Sequence, residues 1–103
     1  MQLTPGARFR SAVCDTEVVI VRPPADPAAT LACGGVPMLP RGEQPAGPVP
    51  IQDGHDAGTV LGKRYGLSDD PVELLVTKSG KGSLSLSGRM LQTKDPKPLP
   101  SSD

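Results

Sequence analysis

The sequence predicts a small, mainly β domain, a β-sandwich or open barrel of short antiparallel strands. Three observations carry that expectation. The 103 residues include 12 glycines and 13 prolines, which interrupt any long helix. There is one Phe, one Tyr and no Trp, so the core has to be assembled from aliphatic side chains of modest size. The apolar residues come in short β-branched runs, and one run alternates with serine at the period of two that marks a strand with one buried face.

Along the chain, residues 9–13 (FRSAV) and 16–21 (TEVVIV) form the first two strands, stopped by the proline cluster RPPADPAA. Residues 29–33 (ATLAC) supply a short third strand, ended by Gly34 and Gly35, which take positive φ at little cost. From Val36 to Gly54 the chain spends Pro37, Pro40, Pro45, Pro48 and Pro50 together with three glycines. No regular structure is expected there, and the segment of about 36–58 reads as a long Pro/Gly-rich loop. Residues 71–78 (PVELLVTK) and 82–88 (GSLSLSG) are strand-like, and Ser79, Gly80 and Lys81 between them read as a hairpin turn. Leu84 and Leu86 then face the core, with Ser83, Ser85 and Ser87 toward solvent. A short strand within RMLQT completes a single domain over 1–93, and residues 94–103 form an extended, proline-spaced tail.

The two halves resemble each other. EVVIVR (17–22) matches ELLVTK (73–78), TLACGG (30–35) matches SLSLSG (83–88), and a Met-Leu pair follows each. Two accounts stay open: duplicated hairpin units that bury each other's apolar faces, or chance recurrence of a loose β pattern.

Lysine plus arginine equals aspartate plus glutamate, 11 of each, so no whole-molecule field draws in nucleic acid or an anionic membrane. No basic stretch leads into an apolar run at the N-terminus and no run of about 18 apolar residues occurs, which sets a cytoplasmic expectation. A core this poor in aromatics favours a homo-oligomer or a protein partner. The apolar residues Met38, Leu39, Val49 and Ile51, set among prolines, are the candidate contact surface.

The residues able to carry unusual chemistry are few: Cys14, Cys33 and the lone histidine His55 within DGHDAG (53–58). That histidine turn suits a metal or an acid–base group, and it also suits an ordinary solvated turn. KSGKGSLS (78–85) is not a phosphate loop, because Gly82 separates Lys81 from Ser83 and a strand follows. No nucleophile–base set is recognisable, so no catalytic residue and no cofactor is assigned.

The stretch RSAVCDTEVVIVRPPADPAATLACGGVPM, residues 10–38, resembles the desulforedoxin-like fold, a small β domain with rubredoxin-type metal knuckles. In that resemblance Cys14 stands at the second cysteine of the first knuckle and Cys33 at the first cysteine of the second. Ser11 and Gly34 occupy the positions of the other two, so two of four metal cysteines are absent. The resemblance implies that Cys14 and Cys33 lie together at the knuckle end of the sheet. They are then buried small hydrophobes, a disulfide, or ligands of zinc or iron completed by His55, Asp15 or a second chain. The expected function is a non-catalytic accessory or protein-interaction domain with a degenerate desulforedoxin-like fold. The alternative is a small metal-binding or redox protein using Cys14 and Cys33.

Overall fold

Alternation of side chains shapes the two longest strands. In β2 (Glu17–Arg22) Val18 and Ile20 are buried, and in β7 (Asp70–Lys78) Val72, Leu74 and Val76 are buried, while their neighbours face outward. The computed structural model describes residues 2–45, 47 and 49–94. The remaining strands are short: β1 (Arg8–Arg10), β3 (Leu31–Cys33), β4 (Val36–Pro37), β5 (Leu39–Pro40), β6 (Arg64–Leu67), β8 (Leu84–Leu86), β9 (Arg89–Met90) and β10 (Gln92–Lys94). Among the described residues there is no helix, and none is therefore long and apolar enough to cross a membrane.

The strands form two antiparallel sheets, ordered β10-β6-β7-β2-β1-β5 and β4-β3-β8-β9. This is the small mainly β architecture the composition predicts. Both sheets read the same from either end once β1 to β5 are matched with β6 to β10. The pairing is equivalent residue by residue: Phe9 lies opposite Val18 as Tyr65 lies opposite Leu74, and Arg10 opposite Leu39 as Gly66 opposite Gln92. Turn hydrogen bonds repeat too, Gly6 N to Ile20 O matching Gly62 N to Val76 O, and Met38 N to Leu31 O matching Leu91 N to Leu84 O.

The halves meet across two isologous seams. Val18 pairs with Val76 and Ile20 with Leu74 about the central Val19–Leu75 pair; Leu31 pairs with Leu86 and Cys33 with Leu84 about Ala32–Ser85. The core is accordingly a set of matched residues: Phe9 and Tyr65, Val18 and Leu74, Ile20 and Val76, Leu31 and Leu84, Met38 and Leu91.

Several local expectations are corrected. Residues 71–88 are not a hairpin, because β7 pairs with β2 and β6 while β8 pairs with β3 and β9 in the other sheet. The repeated unit is thus a five-strand piece that contributes to both sheets. Ser83 and Ser85 are buried rather than solvent-facing, and the segment 55–57 crosses outside Ser83: Ala57 N donates to Ser83 Oγ and Ser83 N to the carbonyl of His55. The Pro/Gly-rich loop yields β4 and β5 at its start, which is permitted because both are edge strands where a proline lacking an N–H breaks no ladder. The strand β6 replaces a segment that has no strand signal of its own beyond the likeness of its Arg-Tyr to Arg8-Phe9. The tail expected over 94–103 begins with Lys94 inside β10 and otherwise lies outside the described residues.

Leu31 and Leu84 are equivalent and both fully enclosed. Leu31→Ala and Leu84→Ala are each expected to lose about 3 kcal/mol of stability, within about 1 kcal/mol of each other, in denaturant titrations.

Candidate functional site

The turn from β1 to β2 is built around one hydroxyl. Ser11 N donates to the carbonyl of Thr16 at 2.8 Å, and Ser11 Oγ accepts from Val13 N at 3.0 Å and Cys14 N at 3.1 Å. The knuckle so formed holds Cys14, half-buried, against the end of β3. There Cys33 is 0% exposed, and its Sγ lies 3.7 Å from Cys14 Sγ. The structure thus brings together the two cysteines singled out in the sequence.

Hydroxyls and glycines enclose the pair. The single proton of the Cys14 thiol is donated to Thr16 Oγ1 at 3.2 Å, Ser11 Oγ lies 3.4 Å from the sulfur, and Gly82 N donates to Cys14 Sγ at 3.4 Å. Thr16 Oγ1 in turn lies 3.0 Å from Thr59 Oγ1, which accepts from Gly80 N at 3.0 Å. The segment carrying Gly80 and Gly82 lies directly on the sulfurs. A Cβ at Gly80 would sit 2.8 Å from Cys14 Sγ and collide with Thr16 Oγ1, and one at Gly82 would sit 2.8 Å from Cys33 Sγ. Gly80 also borders an open cleft of about 610 Å³ between residues 51–58 and Lys81, whose lining includes neither cysteine.

The two thiols titrate apart. Burial pushes the Cys14 thiol up, but hydrogen bonds from Ser11, Thr16 and the Gly82 backbone outweigh it and bring the group down from an ordinary 9.0 to about 7. Burial pushes the Cys33 thiol up; the hydrogen bond from Ser11 opposes this only in part, and the adjacent Cys14 charge adds to it, leaving Cys33 at about 11. Cys14 therefore ionises well before Cys33 as the pH rises.

The four-ligand metal site that the resemblance implies does not fit these residues. Both lone pairs of Ser11 Oγ are engaged by backbone N–H groups, and Gly34 has no side chain and no room for one, a Cβ there lying 2.6 Å from Val13 Cγ2. His55 is half-buried with an unpartnered Nδ1, Asp15 is exposed, and among the described residues no three His, Cys, Asp or Glu side chains are grouped to hold a metal. His55 is thus not brought into a three-ligand group with Cys14 and Cys33. Of the apolar contact candidates, Met38 is core at 2% exposure, which removes it from any surface, and Leu39, Val49 and Ile51 are half-buried. The large exposed apolar side chains among the described residues are Val60, Leu61 and Met90 instead.

The internal two-fold supplies a comparison within one molecule. The positions of Ser11, Cys14, Thr16, Cys33 and Thr59 are matched in the other half by Leu67, Asp70, Val72, Leu86 and Leu3. Four of the five matches are aliphatic and buried. The fold is evidently satisfied by hydrocarbon at these places, so the buried hydroxyls and sulfurs are local to one end of the molecule. Compared with models of protein families, with curated proteins and with solved structures, the chain matches none.

Sequence reasoning reached Cys14 and Cys33 but not Thr16, Thr59, Gly80 or Gly82. The one signal available for the threonines was the repeat, which aligns Thr16 with Val72. Gly82→Ala is expected to destabilise the protein by about 1–3 kcal/mol, because its Cβ meets Cys33 Sγ and the Gly34 backbone. Gly47→Ala, with open space around it, should stay within about 0.5 kcal/mol of the parent in the same denaturation experiment.

Proposed function

We propose that this protein is a small redox protein whose Cys14 and Cys33 interconvert between a dithiol and an intramolecular disulfide. The 3.7 Å separation of the two sulfurs carries the proposal. Closing it to the covalent distance of about 2.05 Å asks the two sulfurs to approach by under about 2 Å. The division of labour follows from burial: Cys14, partly exposed and the first of the two to ionise, is the attacking sulfur, and Cys33, enclosed and harder to ionise, is the resolving one. The hydrocarbon at the matched positions of the other half supports the same reading, since buried hydroxyls have a desolvation cost that the fold does not require.

The exchange is written with dithiothreitol as partner. The Cys14 thiolate attacks one sulfur of oxidised dithiothreitol, whose other sulfur leaves as a thiolate and is protonated. Cys33 then gives up its proton and displaces the reagent from Cys14, forming the protein disulfide and reduced dithiothreitol. Equilibration across mixtures of the two reagent forms, followed by alkylation and mass analysis, should show one reversible two-thiol transition. Cys14→Ser and Cys33→Ser should each abolish it. A pair that stays reduced in the most oxidising mixture, or that links only between molecules, would overturn the proposal.

The pH dependence has a definite sign. Thiolate is the reactive form, so the rate at which iodoacetamide labels Cys14 should rise about tenfold per pH unit below about 7 and level off above it. Labelling of Cys33 in the same samples should stay negligible until the pH approaches about 11.

A further inference from the structure

A dithiol couple needs an oxidant, and the surroundings of Cys14 Sγ select its class. Thr16 Oγ1, Ser11 Oγ, Gly82 N and Cys33 Sγ all lie within 3.7 Å of it, and on the side of Gly80 even a methyl group would collide with the sulfur, which leaves Cys14 only partly exposed. A disulfide substrate has to bring two substituted sulfurs into line with the attacking thiolate. A hydroperoxide has to bring only two oxygens. A cleft of about 610 Å³ nearby is lined by Gly80 and Lys81 but by neither cysteine, so Gly80 stands between its space and Cys14 Sγ.

The hydrogen bonds around the sulfur have a direction. Ser11 Oγ already accepts two backbone N–H groups, so its own proton is free for the sulfur once Cys14 ionises. Thr59 Oγ1 accepts from Gly80 N, which frees its proton for Thr16 Oγ1, and Thr16 can then donate to the sulfur. The result is a chain of donors, Gly80 N–H to Thr59 to Thr16 to Cys14, ending on the atom that loses negative charge during reaction. The Ser11 and Thr16 hydroxyls, at 3.4 and 3.2 Å from the sulfur, stabilise the thiolate from which the charge departs. In the other half the same positions hold Leu67, Val72 and Leu3, so this chain is no requirement of the fold.

We propose that the oxidant of this site is a small hydroperoxide, attacked by Cys14 with Thr59 acting through Thr16 as a positioning residue; this rests on the dithiol reading above. The Cys14 thiolate attacks the distal oxygen of ROOH, the O–O bond breaks, and RO⁻ leaves and takes a proton from water, giving Cys14–SOH and ROH. Cys33 then loses its proton, its thiolate attacks Cys14 Sγ, the S–O bond breaks, and the hydroxide leaves with that proton as water. The sum is two thiols and ROOH to one disulfide, ROH and H₂O. Reduction by an external thiol restores the pair.

The test compares disulfide formation by hydrogen peroxide and by oxidised glutathione at equal concentration, in the full chain at neutral pH, by rapid quenching and mass analysis. Hydrogen peroxide is expected to form the Cys14–Cys33 bond at least tenfold faster than oxidised glutathione and at least tenfold faster than it oxidises free cysteine. Cys33→Ser should stop at a sulfenic acid on Cys14 that dimedone traps. Thr59→Val should slow the peroxide step at least fivefold and shift the iodoacetamide labelling profile of Cys14 to higher pH, whereas Thr59→Ser should stay within twofold of the parent on both. Oxidised glutathione reacting as fast as peroxide would overturn the hydroperoxide assignment and leave the dithiol reading standing. Failure with both oxidants and with oxidised dithiothreitol would remove both. A Thr59→Val protein that matches the parent in rate and profile would remove the role of Thr59.

Discussion

Everything in this fold depends on the pairing of β2 with β7 and of β3 with β8. Neither half holds a core of its own: β1 to β5 form only half of each sheet, and Val18, Ile20 and Leu31 share a single buried cluster with Val72, Leu74 and Leu84 of the other half. Two- and three-strand fragments are marginal alone in water, and a chain with almost no aromatic mass is poorly placed to rescue them. The isologous seams solve this in the way a symmetric dimer does, with each strand meeting its own counterpart about a shared central pair. Here both partners belong to one chain, which makes the pairing independent of concentration.

That symmetry makes the departures from it informative. A single chain is free to differ between its halves, and the differences concentrate at one place. At the end of the molecule that holds Cys14 and Cys33 the enclosed side chains are hydroxyls and sulfurs; at the matched end they are leucines and a valine, with Asp70 accepting from Val72 N and Ala25 N at the turn. Buried hydroxyls are stable only when their hydrogen bonds are made, and Ser11, Thr16 and Thr59 make theirs to backbone, to each other and to sulfur. The same bonds favour ionisation of Cys14 over Cys33, so the network that satisfies the buried hydroxyls also sets the two thiols apart.

The legible parts of the fold were those governed by short-range pattern. The apolar, strand-like runs of β2 and β7, the turn at Gly34-Gly35 and the repeat of EVVIVR in ELLVTK are all local signals, and each marks a real element. The same rules misplaced Ser83 and Ser85, because period two reports which faces differ and not whether both are covered. They also joined β7 to β8 as a hairpin, since a three-residue turn looks alike whether the chain doubles back in one sheet or crosses to the next. At the site, Cys14 and Cys33 stood out as the only thiols, whereas Thr16 and Thr59 looked like any other threonines; their meeting at 3.0 Å depends on the contact between the two halves.

The sequence by itself determined the class of fold, the aliphatic character of the core and the likeness of two segments in its halves, because composition, side-chain period and repetition are properties of the chain read in order. Only the tertiary structure decided that the repeat runs through both sheets, that Met38 belongs to the core, and that two thiols, three hydroxyls and two bare glycines converge on one point. Those outcomes depend on residues far apart in the chain, and no local preference specifies which distant strand closes a given face. The packing of the two halves does.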